Sequence, residues 1–380
     1  MSENAGSGRN DSFGGGSDNP WDDRALDDQV GPGEAEPQAD NTQWAESATP
    51  ASVTAVRRPL RPAGAGNPTK AGGQRPVSAA EPRRREDSPK SEKRRGRWLT
   101  MLRGRTAATG PGDDVALAKS IRRPLNEPKN IAFINEGGGT GKTTTAVLLG
   151  LLLASIRNGP IVAVDASPGC GDLGNRVPES KRPAGNVRSV VEGIGRIRTL
   201  DDLRAHMNRV AGGLDVLAAD ASTSAEAVFT STDYVRLTEI LREHYEVTIT
   251  DCAAGMVSDV VEAVLDDADL VVIVSEGGDG VRSSTWTANR MMDRAEAKPK
   301  YKRLLDDAVV VVNSRHDRTK TNTAKIMDFY RNIVRAVVEV PFDQHLEGGD
   351  IIVLDKLSKN TRTQLLRFGD AVISSDGFNQ

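Results

Sequence analysis

The run Ile131-Ala132-Phe133-Ile134-Asn135-Glu136-Gly137-Gly138-Gly139-Thr140-Gly141-Lys142-Thr143-Thr144-Thr145, followed by Ala146-Val147-Leu148-Leu149, constrains this chain more than any other stretch. A short apolar segment ends in a glycine loop, and the loop opens onto a helix-forming segment. Glycines let a backbone curl until its N–H groups converge, and the first turn of a helix adds a dipole that favours an anion. A lysine and a hydroxyl directly after the last glycine complete a phosphate-binding loop. Lys142 is expected to reach the terminal phosphates, and Thr143 to place its hydroxyl on magnesium. Gly137, Gly138, Gly139, Thr140, Gly141, Lys142, Thr143 and Thr144 are the expected nucleotide contacts, with ATP and Mg2+ as the ligands. The strict motif begins on glycine where this chain has Glu136.

From about Asn130 onward, short apolar and β-branched runs alternate with amphipathic segments. The runs are Asn130–Asn135, Pro160–Asp165, Leu214–Ala218, Glu246–Asp251, Leu270–Ser275, Ala308–Asn313 and Val337–Val340. Near-continuous apolarity is how strands covered on both faces read. Helices are expected over Lys142–Arg157, Val187–Ile194, Asp201–Val210, Thr232–His244, Val257–Leu265, Gly280–Ala297, Thr323–Val334 and Thr361–Ile373. Such alternation predicts an α/β fold, a mostly parallel doubly wound sheet in one domain spanning residues 113–380.

Residues 1–112 read differently. From Met1 to Val56 there are eleven acidic residues against two basic ones, and from Arg57 to Arg105 fifteen basic against four acidic. A polar, charge-blocked segment rich in Gly, Pro and Ser buries too little apolar surface to offset its chain entropy, so a disordered tail is expected. Two features of it are candidate contact points. Asn19-Pro20-Trp21-Asp22-Asp23 is a candidate docking motif for a protein partner. Lys90 to Arg105 sets Trp98, Leu99, Met101 and Leu102 among seven cations, a pattern suited to non-specific DNA or an anionic membrane surface. Cys170 and Cys252 give no disulfide framework, and no apolar run approaches the roughly 18 residues of a membrane-spanning helix. The acidic, Gly-rich start is unlike a signal peptide. A cytoplasmic protein is expected, with any membrane or nucleoid contact peripheral. His206, His244, His316 and His345 show no metal-ligand spacing.

A second apolar strand, Val247-Thr248-Ile249-Thr250, ends in Asp251, where an acidic residue would hold magnesium through a water. At this point the chain resembles the MinD/ParA class of ATPases, whose phosphate loop has the deviant form K-G-G-x-G-K-T. Positions 138, 139, 141, 142 and 143 match it, whereas Gly137 stands where that family carries its signature lysine. Asp165-Ala166-Ser167-Pro168 resembles the family's first switch. There Asp165 would lie near magnesium and serve catalysis with Lys142, and Ser167 replaces an aspartate that orients water. Asp172 is a candidate substitute for it. Cys252-Ala253-Ala254-Gly255 resembles the second switch, with Gly255 offering an N–H to the γ-phosphate. Asn313 matches the position that recognises adenine, and Pro341 begins a loop similar to the one that lies against the base. A guanine motif is not met after Asn313, which favours ATP.

The resemblance runs from Asn130 to about Ile373 and is strongest to actinobacterial members that accompany type VII (ESX) secretion or plasmid transfer. It implies a nucleotide switch with an ATP-dependent homodimer as a candidate assembly. Gly137 and Ser167 imply weak or partner-stimulated hydrolysis. Three roles follow: a switch that regulates or positions a secretion, division or plasmid-transfer machine; a DNA or plasmid partition ATPase; and a scaffold that binds nucleotide without hydrolysing it. The apolar face of the last helix (Leu365, Leu366, Phe368, Val372) reads as core rather than as a membrane anchor.

Overall fold

The computed structural model describes residues 111–167, 171–178, 185–210, 212–220, 229–277, 281–315 and 320–379. The docking motif and the basic stretch before residue 111 lie outside the described residues, as do Pro168 and His316.

Eight strands form one sheet: β1 (Lys129–Ile134), β2 (Ile161–Ala166), β3 (Asn208–Arg209), β4 (Leu214–Leu217), β5 (Val247–Cys252), β6 (Leu270–Glu276), β7 (Val309–Asn313) and β8 (Ala336–Val340). Their order is β3-β4-β2-β5-β1-β6-β7-β8. Every neighbouring pair is parallel except β3–β4. The strands are apolar on both faces because both faces are covered. Ile131 and Phe133 point into one core and Ala132 and Ile134 into the other.

Twelve α-helices stand among the described residues, α1 (Pro111–Ile121), α2 (Lys142–Ile156), α3 (Val187–Gly193), α4 (Leu200–Arg204), α5 (Ser231–His244), α6 (Asp259–Asp267), α7 (Val281–Ala297), α8 (Pro299–Asp306), α9 (Lys320–Arg331), α10 (Gln344–Glu347), α11 (Lys359–Ile373) and α12 (Asp376–Asn379). Helices α1, α2 and α11 cover one face, and α3, α5, α6, α7, α8 and α9 supply the other core. All seven runs read as strands are strands. The last-helix face is buried as expected, with Leu366, Phe368 and Val372 fully covered.

Several stretches depart from the sequence reading. The helix expected over Asp201–Val210 ends at Arg204, and Asn208–Arg209 instead pairs antiparallel with β4. The Thr199/Asp202 capping box starts α4, and Arg204 then turns inward to the buried Asp215 at 2.9 Å. Gly212 and Gly213, at φ 127° and 103°, close the β3–β4 turn. The stretch 299–306, outside the expected helices, forms α8. It is fixed by Tyr301, whose hydroxyl donates to Glu262 (2.7 Å) and Asp266 (2.8 Å) on α6. Helix α1 likewise lies outside them. Its anchor is Ile121, fully buried against α11.

Gly369 shows how closely α11 sits on its neighbours. A Cβ there would lie 2.5 Å from Leu152 Cδ2 and 3.0 Å from Ile121 Cδ1. Overpacking of this kind costs about 1–3 kcal/mol. Gly369→Leu is expected to lower the stability of the folded part by about 2 kcal/mol in urea denaturation, with an unchanged slope of free energy against denaturant.

Candidate functional site

The parallel sheet collects the carboxyl ends of β1, β2, β5, β6 and β7 along one edge, where α/β folds place their ligands. The glycine loop leaves β1 at this edge and closes at Gly141, which caps α2. Gly139 and Gly141 take φ of 74° and 89°, in the left-handed region that L side chains avoid. At Gly141 a second constraint acts, since a Cβ would lie 2.0 Å from Asn313 Nδ2. That amide donates to the Thr140 carbonyl at 3.0 Å, and Arg315 Nη1 donates to the Gly139 carbonyl at 3.1 Å. The end of β7 therefore grips the outside of the loop.

Lys142 and Thr143 meet Asp251 directly. Lys142 Nζ lies 3.2 Å from Asp251 Oδ1 and also donates to the Cys252 carbonyl. Thr143 Oγ1 donates to Asp251 Oδ2 at 2.6 Å. Asp165 pairs in register with Asp251 across β2 and β5, so two buried carboxylates stand side by side. Burial and the Asp251 charge push the Asp165 carboxyl up to about 6, while N–H donors from Leu173 and Ser167, each at 3.1 Å, partly offset this. Cys252 is buried next to them, and burial pushes its thiol up to about 12, so it stays protonated.

A cleft of about 460 Å³ opens over the loop. Gly137 through Thr144, Asn313 and Pro341, the expected nucleotide contacts, all line it. The 341–349 segment forms the opposite wall through Phe342, Asp343 and Leu346. Asp165 and Asp251 are beneath the loop rather than on the cleft wall. Gly255 is also off the wall, and its neighbour Ala254 takes that place. The Gly255 N–H donates to the Asn135 carbonyl at 3.0 Å, so in this structure it is engaged and not offered to a phosphate. Asp172, the candidate water-orienting group, is held by Arg176 at 2.7 Å and Asn175 at 2.9 Å.

Two cleft cations were not singled out from the sequence, Arg176 and Arg315. Arg315 stands two residues beyond a strand end that already carried Asn313, which is the signal that would have found it. Arg176 carried no such signal.

The residues present suit a magnesium nucleotide. Thr140 Oγ1 is buried inside the loop with no hydrogen-bond partner among the described residues. Thr143 and Asp251 present the hydroxyl and carboxylate that such an ion takes, with Asp165 behind them. Among the described residues no group of three or more His, Cys, Asp or Glu side chains forms a ready metal cage.

Comparison with known proteins fixes the family. The profile of the CobQ/CobB/MinD/ParA nucleotide binding domain matches residues 131–348, more than half of the chain. The chain belongs to this family. It is 28% identical over 291 residues to the ESX-1 secretion-associated protein EspI of Mycobacterium tuberculosis, which covers 74% of this chain and 42% of that protein. The chain thus spans less than half the length of that relative. Among solved structures, the cell division ATPase MinD of Pyrococcus furiosus superposes with a TM-score of 0.50 at 18% identity, covering 64% of this chain and 98% of that one. A ParA family ATPase from Chlorobium tepidum gives 0.48 at 17% identity over 65% of this chain and 91% of the other. Within the described residues no helix is long and apolar enough to cross a membrane.

The Asp165 carboxyl sets a pH dependence. Its folded value, about 6, lies above the ordinary 3.8, so its contribution to stability falls as pH rises from about 4 to about 6. Ionised at neutral pH, it costs the folded chain about 3 kcal/mol, which a bound cation would offset. Protonation below about 6 removes the charge that the cation needs. Compared with Asp165→Asn, the wild-type advantage in magnesium-dependent nucleotide affinity is expected to shrink about tenfold from pH 7 to pH 5, read by titration with and without magnesium.

Proposed function

We propose that this chain binds Mg-ATP in the cleft over Gly137–Thr144 and works as a slow nucleotide switch that regulates or positions a secretion machine. The observation that carries the reading is the meeting of Lys142 and Thr143 with Asp251 beneath a glycine loop. In this arrangement Lys142 would neutralise the terminal phosphates. Thr143 and Asp251 would hold magnesium, with Asp165 as a further carboxylate behind them. Asn313 and the 341–349 wall would face the base. The bound ion would supply charge neutralisation to the phosphates, and the chain's own groups would fix their position.

Two departures support slow turnover. Gly137 offers no side chain where the family carries a lysine, and Ser167 stands where an aspartate orients water. Asp172 is bound to Arg176 and Asn175, so taking over that role would require breaking those contacts. The secretion role rests on the likeness to EspI along 74% of this chain. Partner contact through the tail before residue 111 and an ATP-dependent homodimer belong to the same reading. DNA partition is the rival role, with Lys90 to Arg105 as the DNA contact, and an anionic membrane is the other candidate for that stretch. ATP-dependent DNA retention that fades with salt would select partition.

Calorimetric titration tests the reading. Wild-type protein is expected to bind ATP with magnesium, and Lys142→Ala to lose at least about tenfold in affinity, because a charged contact to phosphate is removed. Hydrolysis by wild type alone is expected to stay well below the roughly 1 per second typical of slow enzymes, and brisk turnover without a partner would overturn the slow-switch reading.

A further inference from the structure

Glu136 is the loop residue that the site described above leaves without a role. It does not line the cleft, yet its side chain is only 13% exposed. Its carboxylate joins two elements beyond the loop. Oε1 pairs with Arg290 Nε of α7 at 3.0 Å, and Oε2 accepts the N–H of Met256, which follows the second switch, at 3.2 Å. Its own N–H donates to Thr287 Oγ1 of α7 at 3.0 Å. A carboxylate at the mouth of a phosphate loop opposes an anionic ligand, unless it is held by other partners as it is here. This one is held by a guanidinium and a backbone donor, both outside the loop.

The second switch, Cys252 to Gly255, is tethered together with the Met256 that follows it. At its start the Cys252 carbonyl accepts from Lys142. At its end Met256 donates its N–H to Glu136, and its carbonyl accepts from Arg294 of α7. Between them Gly255 turns at φ 91°, with its N–H on the Asn135 carbonyl at 3.0 Å. Arg290 and Arg294 are four residues apart and share one face of α7 with Trp286. Trp286 is 58% exposed.

We infer that Glu136 is a positioning residue that couples the phosphate loop to α7 through the second switch. This deepens the nucleotide-switch reading and rests on it. A phosphate in the loop competes with the Cys252 carbonyl for the Lys142 ammonium. Release of Cys252 frees the start of the switch, and the Gly255 turn carries the movement to Met256. Glu136 and Arg294 then pass it to α7, because both hold Met256 and both reach that helix.

Trp286 gives a native reporter. In the full chain with Trp21, Trp44 and Trp98 changed to Phe, all tryptophan emission, excited selectively over the four tyrosines, comes from Trp286. Mg-ATP is expected to change that emission. In Glu136→Ala on this background the change is expected to fall at least about fivefold, while ATP affinity measured by equilibrium dialysis stays within about threefold of wild type. Arg290→Ala, at a half-exposed position, is expected to reduce the change with affinity retained. Glu136→Gln keeps an acceptor for Met256 and is expected to retain an intermediate response. A merely structural role for Glu136 would lower affinity and emission change together, and that result overturns the coupling. So does a full response in both Glu136→Ala and Arg290→Ala, or ATP uptake by wild type with no change at Trp286. If wild type takes up no ATP, the nucleotide-switch reading fails and the coupling falls with it, an outcome distinct from ATP uptake with an uncoupled Trp286.

Discussion

Two carboxylates, Asp165 and Asp251, end adjacent parallel strands in register and are both about 1% exposed. Burying like charges side by side is unfavourable unless a cation or proton compensates. The chain answers Asp251 with the Lys142 ammonium and the Thr143 hydroxyl, and answers Asp165 with two backbone donors and a raised carboxyl. The position of the phosphate loop follows from this. Its lysine and threonine are drawn down onto β5, and its glycines are what let the backbone make that descent.

The sheet order decides which other groups reach the loop. Because β1 sits between β5 and β6, the loop emerges with the second switch on one side and the ends of β6 and β7 on the other. Asn313 and Arg315 come from the β7 side and hold two loop carbonyls. Met256 comes from the β5 side and meets Glu136. Arg176 enters from beyond β2 and lines the cleft with Lys142 and Arg315. The cleft therefore carries cations from three separate parts of the chain, although the loop itself lacks the family's lysine at Gly137.

Most of the fold was legible in the sequence because a parallel sheet covered on both faces writes itself as apolar runs of strand length. The seven runs became β1, β2 and β4 through β8. The miss at Asp201–Val210 has a tertiary cause. Its helical pattern is real for one turn, and then Arg204 is drawn to Asp215, a residue buried in β4 that no local pattern reveals. Helix α8 was missed because its three buried residues, Tyr301, Leu304 and Leu305, make too short a stripe to stand out. The loop residues and Asn313 were legible because strand-end positions announce the edge where ligands bind. Glu136 was visible as a departure from the strict motif, but its partners were not.

By itself the sequence determined the phosphate loop, the alternation of strands and helices, and the two aspartates at strand ends. These are local signals, set by backbone freedom at glycine and by the period of apolar residues. Only the tertiary structure decided that the aspartates adjoin and that the Gly255 N–H is taken by Asn135. It also decided that Glu136 reaches both Met256 and Arg290, 120 and 154 positions further along the chain. Such pairings depend on which strands lie side by side and on what each buried charge must find as a partner, and neither is written in any short stretch of the chain.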